Sequence, residues 1–454
     1  MQIRIPDNLA PVARAFFSAG VSAYAVGGLV RNSLLRLPPA DMDVASPRTP
    51  APVTDLFAGS NVRVVEKAAE FGTVELLGPD GLIVEHTAFR RESYPAGGAH
   101  RPETVTLGGT LISDAFRRDF TVNALYADLS TGEVTDPTGG LSDLAKGVLR
   151  TTSADPDDIL RSDALRVLRL ARFSGELGFV PEPDTLAAAV RHAPGLMDVA
   201  AERRREELIK ILLCDRKYGR NASAVLSALE LLATLGAWPA LVPEMDAGRG
   251  TPQRPDHHRY DVQGHLFHAC AAAPATLTLR LAALLHDIGK PACRAETGSM
   301  RLHDEYSERI ARRVLTELRF PKAVVAEVCA IVLDHMYDVQ NTGREETLRV
   351  RFARWGRERT LQMIAMREAD IRGCGYNEAY ENLRWRALYD RMLAEGAPFS
   401  QGELALTGKE IMAALDMGPG EKVGLLKERL LDHCARHPED NTKERLLLRL
   451  KDYA

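Results

Sequence analysis

Apolar and polar positions alternate through short runs in the first 150 residues, and a spacing of three and four replaces that alternation further along. SAYAVGG, NVRVVE, TVELLG, LIVEHTAF, ETVTLGG and VNALYADL are β-rich, punctuated by Gly and Pro, and accompanied by one early helix. Such period-two runs predict strands, so this part reads as an α/β unit on a mostly antiparallel or mixed sheet. From about Asp157, DDILRSDALRVLRLARFSGELGF and AAERRREELIKILLCDRK carry apolar residues at helical spacing, which predicts amphipathic helices. A Pro-, Gly- and Asp-rich passage from Pro239 to Asp261 predicts a linker. Helical patterning resumes to about Glu395, and GAPFSQGEL introduces a terminal helical segment built around a Gly-Pro-Gly turn. The pattern predicts an α+β chain divided at residues 1–150, 151–240, 255–395 and 396–454, without internal repeats.

Composition narrows the class. The chain has 454 residues, 45% hydrophobic and 26% charged, which suits a multidomain globular protein and excludes a disordered one. No apolar run approaches a membrane span, and the N-terminal stretch lacks the pattern of a secretion signal. Six cysteines lie far apart with no C-x-x-C, the usage expected of reduced thiols in a cytoplasm. With a formal net charge of -4, nucleic-acid binding has to come from local basic faces.

The candidate chemistry begins in AVGGLVRNSLLRLPPADMDVAS. Asp41 and Asp43 stand at i and i+2, so a strand there would project both carboxylates from one face. Like charges held that close call for a cation between them, and a divalent metal is the usual one; a solvated turn is the other reading. Gly27 and Gly28 precede a predicted helix carrying Arg31, where backbone N–H groups can cradle phosphate. A phosphate cradle beside a metal site is what nucleotidyl transfer by two metal ions requires.

GGLVRN followed by ADMDVA resembles the signature of class II nucleotidyltransferases of the polymerase-beta superfamily, specifically the CCA-adding tRNA nucleotidyltransferases and bacterial poly(A) polymerases. FGTVELL, VEHTAFRRESYP, RRDFTVNALYAD, DPTGGLSDL, SDALRVLRLARFSGELGF and AERRREELIKIL follow in the family's order. The resemblance implies a polymerase-beta-like head (mixed sheet plus helices) at 1–150, a helical neck for base and RNA binding at 151–240, an HD domain at 255–395 and a helical tail contacting tRNA at 396–454. It implies Mg2+ on Asp41 and Asp43, with Glu85 as a third carboxylate. Arg117, Arg118, Asp119 and Asn123 correspond to ribose and triphosphate contacts, alongside Gly27, Gly28 and Arg31. Two positions depart from the family: Asn32 stands for an Asp, and Ser162 for the Glu of an E-D-x-x-R motif, removing the orienting carboxylate.

Asp163 and Arg166 remain, three apart on a predicted helix and hence on one face. Cytosine and adenine both present an amino donor beside a ring-nitrogen acceptor. One carboxylate and one guanidinium can read that pair, while uracil and guanine offer the opposite polarity. The implied activity is addition of C, C and A to tRNA 3′ ends from CTP and ATP. CC-only addition, A-only addition and poly(A) synthesis are the alternatives, and an intact RRESYPAGGAHRPETV stretch favours a CCA- or A-adder.

A second constellation, His265, the adjacent His286 and Asp287 in LAALLHDIGKP, and Asp370 in READ, resembles the HD superfamily of metal-dependent phosphohydrolases. Imidazoles and carboxylates from separate helices suit a divalent transition metal, and His303 and His335 could serve a second one. An HD-led phosphohydrolase is therefore the reading from another class, against a module that serves as scaffold.

Overall fold

The computed structural model describes residues 1–39, 41–93 and 103–453. Most of the RRESYPAGGAHRPETV stretch, residues 94–102, lies outside them. The chain forms two compact units, Met1–Pro243 and Glu244–Ala454. The division falls inside the predicted linker, although Leu241, Val242 and Met245 within it are buried.

In the first unit, β1 (Tyr24–Val26), β2 (Met42–Ser46), β3 (Arg63–Ala68), β4 (Thr73–Leu77), β5 (Ile83–Ala88), β8 (Tyr126–Asp128) and β9 (Val134–Thr135) form one sheet in the order β3-β4-β5-β2-β1-β8-β9. β6 (Arg90–Ser93) and β7 (Thr104–Leu107) form a separate ribbon. The sheet is mixed as expected: β2 and β5 run parallel and the other pairs antiparallel. Burial alternates along β5, where Val84, His86 and Ala88 face the core. Each fully buried aliphatic side chain on such a face contributes about 1.5–3 kcal/mol. His86 belongs to this core. It pairs with Ser46 Oγ at 2.8 Å and stacks on Phe16, and burial pushes its pKa down to about 4.

The helical remainder of the unit does not begin as one long helix. Asp155 caps the helix Pro156–Ser162, the backbone turns extended at Asp163, and a second helix runs Leu165–Leu177. Asp163 causes the break, because its Oδ1 accepts from the Leu165 N–H at 3.1 Å and so competes with a continuing helix.

The second unit is helical. Its last helices, Gly408–Leu415, Glu421–Arg436 and Lys443–Tyr453, bury Ile411, Leu426, Leu430, Leu446 and Leu450 in one cluster that includes Ala353 of the helix Glu345–Gly373. Arg354 reinforces that packing with ion pairs to Glu428 and Asp432. Among the described residues, no helix is long and apolar enough to cross a membrane.

Candidate active site and metal centre

Sheet register assembles the first site. Asp43 on β2 stands directly opposite Glu85 on β5, so both project from the face opposite the buried Val44 and His86. Asp41 lies just before β2 and is exposed, a correction to the expectation that one strand carries both aspartates. It is still near enough to repel Asp43: burial first, then Glu85 and then Asp41 raise the Asp43 carboxyl to about 6, with Arg118 opposing. One Glu85 oxygen is held by Lys67 Nζ at 2.9 Å. A cluster of carboxylates that resists full ionisation fits a hard cation with oxygen ligands.

The glycine turn closes over Asp43. Gly27 has φ +68, a backbone conformation that favours glycine, and a Cβ there would lie in ordinary contact distance of Asp43 Oδ2, 3.6 Å, and Arg118 Nη1, 3.9 Å, which places the turn beside both. Gly28 opens the helix Gly28–Leu35 behind it. Arg31 is not poised at this turn. It is buried, bonded to Asn32, Asn123 and Tyr218, and packed over Phe173. Asn32 is equally committed: its Nδ2 donates to Pro38 O at 2.8 Å and to Tyr218 OH at 3.1 Å. An aspartate could not make those donations, which gives this departure from the family a local structural role.

The RRDFTVN segment is held by residues the sequence reading missed. Asp114, fully buried, takes Arg117 Nε on one oxygen at 2.8 Å; on the other it takes Arg118 Nη2 at 3.0 Å and the Tyr126 hydroxyl at 2.7 Å. Burial alone would raise the Asp114 carboxyl, but Arg118 and Arg117 hold it below the ordinary value. Asp119 accepts from the Phe120 N–H at 2.7 Å, from Asn123 Nδ2 at 3.1 Å and from Arg169 Nε at 2.7 Å. Its burial is likewise outweighed, chiefly by Arg169, and the carboxyl lies well below the carboxylate range. Asp114 was legible in principle, standing three and four residues before the paired arginines on a helix. Tyr218 carried no local signal.

Asp163 and Arg166 do not share a helix face, since Asp163 sits in the break between two helices. Arg203 holds Asp163 Oδ2 at 2.7 Å. Arg166 donates to Ile159 O at 2.8 Å, Ser162 Oγ at 2.9 Å and Arg117 O at 2.7 Å. The Ser162 hydroxyl thus orients Arg166 in place of the missing carboxylate. A cavity of about 730 Å3 is lined by Arg91, Arg117, Arg161 and Arg166 together with Glu92 and Asp158; its guanidinium groups outnumber the carboxylates and leave a net positive lining that suits a polyanion.

The second unit brings all the predicted HD residues together from five helices. His286 and His335 stand at the C-terminal ends of Leu277–Leu285 and Lys322–Asp334, where helices leave carbonyls unsatisfied. Their Nδ1 atoms meet Ala283 O at 2.9 Å and Val332 O at 2.6 Å, as His303 Nδ1 meets Met300 O at 2.8 Å. A carbonyl only accepts, so these bonds assign a proton to Nδ1 of each ring and leave Nε2 as the atom facing the cluster. Yet His303 and His335 Nε2 face each other at 3.1 Å, as do those of His265 and His286. Asp287 divides between the pairs: Oδ2 lies 3.3 Å from His265 and 3.5 Å from His286, Oδ1 2.9 Å from His303 and 3.5 Å from His335. Asp370 Oδ1 adds contacts of 3.3 and 3.5 Å to His265 and His286. Burial would raise Asp287, but Lys290, His286 and His303 hold it well below the usual range. Four imidazoles and two carboxylates gather here, with Lys290 Nζ 2.5 Å from Asp287 Oδ2 as the cation that now balances them; the same donors would suit divalent transition-metal ions on either side of Asp287. Asp287→Asn is accordingly expected to lower bound metal at both positions, and His303→Gln at one; metal content after dialysis against Co2+ measures this, and equal loss in the two variants would refute the bridge.

The Poly A polymerase head domain profile matches residues 23–150, the HD domain profile 258–371, and the profile "Probable RNA and SrmB- binding site of polymerase A" 178–248. The chain is 35% identical over 423 residues to the A-adding tRNA nucleotidyltransferase of Deinococcus radiodurans, covering 88% of this chain and 89% of that one. It is 40% identical over 203 residues to the CCA-adding enzyme of Limosilactobacillus fermentum. That match covers 45% of this chain and 49% of the relative, so the chain spans about half the length of the CCA-adding relatives it matches. The structure of the Bacillus stearothermophilus CCA-adding enzyme in complex with CTP aligns over 99% of this chain and 98% of that one, with a TM-score of 0.72 and 26% identity. The Thermotoga maritima CCA-adding enzyme complexed with tRNA shares the fold, at TM-score 0.60 and 16% identity over 100% of both chains.

Proposed function

The chain belongs to the poly(A) polymerase family of class II tRNA nucleotidyltransferases that carry an HD domain, and we propose that it extends tRNA 3′ ends without a template, adding C, C and A from CTP and ATP. The observation that carries this reading is Asp43 set opposite Glu85 beneath the Gly27 turn, with Arg118 against the same turn. Asp41 and Asp43, with Glu85, would hold Mg2+, which when bound supplies Lewis-acid charge for attack of the RNA 3′-hydroxyl on the α-phosphate and for departure of pyrophosphate. The Gly27 turn receives the triphosphate, with Gly28 and Arg118 beside it. Arg117 adds positive charge at the cationic cavity, and Asp119 and Asn123 form the face for the ribose. Arg31 acts behind them by holding Asn123. Asp163 and Arg166, each pinned by neighbours, present prealigned groups to the base; an unmatched buried polar group costs about 1–3 kcal/mol, enough to reject uracil and guanine when two such groups combine.

A-only addition is the second reading, favoured by the likeness to the Deinococcus radiodurans enzyme along nearly the whole chain. Transcripts of tRNA ending before the first C, after CC and after CCA, each supplied with Mg2+ and CTP, ATP or both, separate the two. Stepwise completion that halts at CCA is expected. Extension of the CC-ended transcript alone, by one A, would establish the second reading, a long A tail poly(A) synthesis, and no extension would refute both. The His and Asp cluster supports a further hydrolytic activity on phosphoesters, since Lys290 and Arg367 line the cavity of about 700 Å3 beside Asp287 and Asp370.

A further inference from the structure

The four histidines around Asp287 are not held alike. His286, His303 and His335 each give Nδ1–H to a carbonyl three residues upstream. His265 has no such carbonyl: it is fully buried, and among the described residues its Nδ1 makes no hydrogen bond of normal geometry, with Cys374 as its polar neighbour on that side. Beside this ring stand two residues that the site above does not use, His258 and Cys374. His258 crosses the His265 ring edge-on, centroids 4.8 Å apart. His258 Nδ1 and Cys374 Sγ are 3.4 Å apart, and donor atoms from His258, His265 and Cys374 all lie within 4.8 Å of one another.

Tetrahedral zinc, with Zn–S of about 2.3 Å and Zn–N of about 2.0 Å, sets its donors roughly 3.3–3.6 Å apart. The His258 to Cys374 spacing already matches that, and less than about 1.5 Å of movement brings in the third donor. The backbone fixes the arrangement. The Arg259 N–H donates to Cys374 O at 2.9 Å, and the Tyr376 hydroxyl to Pro255 O at 2.8 Å, so the segment around His258 is tied to the end of the helix Glu345–Gly373. Cys374 Sγ also lies 3.4 Å from Asp370 O. His258 and Cys374 both line the cavity that opens over Asp287, which leaves a fourth position for water or a ligand.

We propose that His258, His265 and Cys374 form a further site for a thiophilic divalent ion such as Zn2+ or Co2+, separate from the two positions that share Asp287. His265 serves both neighbourhoods, Nε2 toward Asp287 and the remaining Nδ1 toward Cys374. The donor set of two imidazoles and one thiolate selects against Mg2+; binding releases the Cys374 thiol proton to solvent, while the His265 ring proton resides on Nε2 facing Asp287 and Asp370, or is also released to solvent when a metal occupies that side.

Cobalt titration of the full chain, stripped of metal, tests this. The group around Asp287 contains no sulfur, so a thiolate-to-cobalt charge-transfer band in the near ultraviolet reads the new site alone. The band is expected in the wild type, absent in Cys374→Ser and at least about tenfold weaker in His258→Ala. Alkylation of the unsubstituted chain gives a readout that needs no variant. The other five cysteines are buried and Cys374 is only partly so; Zn2+ is expected to slow its reaction with iodoacetamide at least about tenfold. Cobalt bound without the band, a band that persists in Cys374→Ser, or alkylation indifferent to zinc would each overturn the proposal, and none of these bears on the positions around Asp287.

Discussion

Asp43→Asn is expected to reduce nucleotide addition by about 1000-fold or more and at the same time to make the protein harder to unfold at neutral pH. The second effect follows from the first site's electrostatics. Burial, Glu85 and Asp41 raise the Asp43 carboxyl from 3.8 to about 6, so the folded chain holds this proton more tightly than the unfolded one. A group with a raised folded pKa contributes stability that is fully present below the unfolded value and lost as pH rises through the folded one. Ionised Asp43 therefore costs stability above about pH 6, and Asn, neutral throughout, removes that cost. Melting scans from pH 4 to 8 without metal are expected to lie closest at the acid end, to diverge between about pH 4 and 6, and to run parallel above that, separated by about 2–4 °C for each kcal/mol involved. Added Mg2+ should raise the wild-type midpoint by linkage and leave the variant unmoved. Retained activity, or equal Mg2+ shifts in the two proteins, would refute the assignment of Asp43 as a metal ligand. Wild-type addition at limiting Mg2+ should also fall as pH drops through about 6, and recover when Mg2+ is raised.

The second large effect is structural. Asp114→Ala leaves the Arg118 guanidinium and the Tyr126 hydroxyl without their buried acceptor and strips Arg117 of its closest carboxylate. Breaking a buried pair by removing one partner costs about 3–5 kcal/mol. Urea titration followed by hydrogen exchange in peptides covering β1 and β8 reads the first unit alone, and an unchanged midpoint there would show that the network contributes no stability. Because the Asp114 carboxyl is held below its ordinary value, its contribution is present above the unfolded pKa and is lost only as pH falls through the lower folded one. Acid unfolding of the first unit should therefore begin at higher pH in Asp114→Asn than in the wild type.

Much of the molecule was legible from local spacing. The β-rich runs became strands, the mixed sheet formed, and the helical texture after residue 155 was real. Asp43 and the glycine turn could be nominated because each sits in a short run whose side-chain types already suggest metal or phosphate chemistry, while Glu85 and the His-Asp set entered through the resemblance to the family and to the HD superfamily. Asp163 was misread because its spacing to Arg166 fits a helix, while its backbone is extended and its own carboxylate accepts from the Leu165 N–H across the break. Arg31 was placed beside a phosphate because a basic residue near a glycine turn suggests one. Its burial depends on Tyr218 and Phe173, contributed by helical segments far along the chain.

By itself the sequence determined which faces were apolar, where helices could begin, and which residues carried chemistry, since these depend on neighbours within a few positions. Only the tertiary structure decided that Asp43 would stand opposite Glu85 and that Asp287 would lie between two pairs of histidines. Those placements rest on strand register and on packing between segments tens of residues apart. A one-residue slip in register would turn Asp43 into the core, and no periodicity within a single segment encodes its register against another.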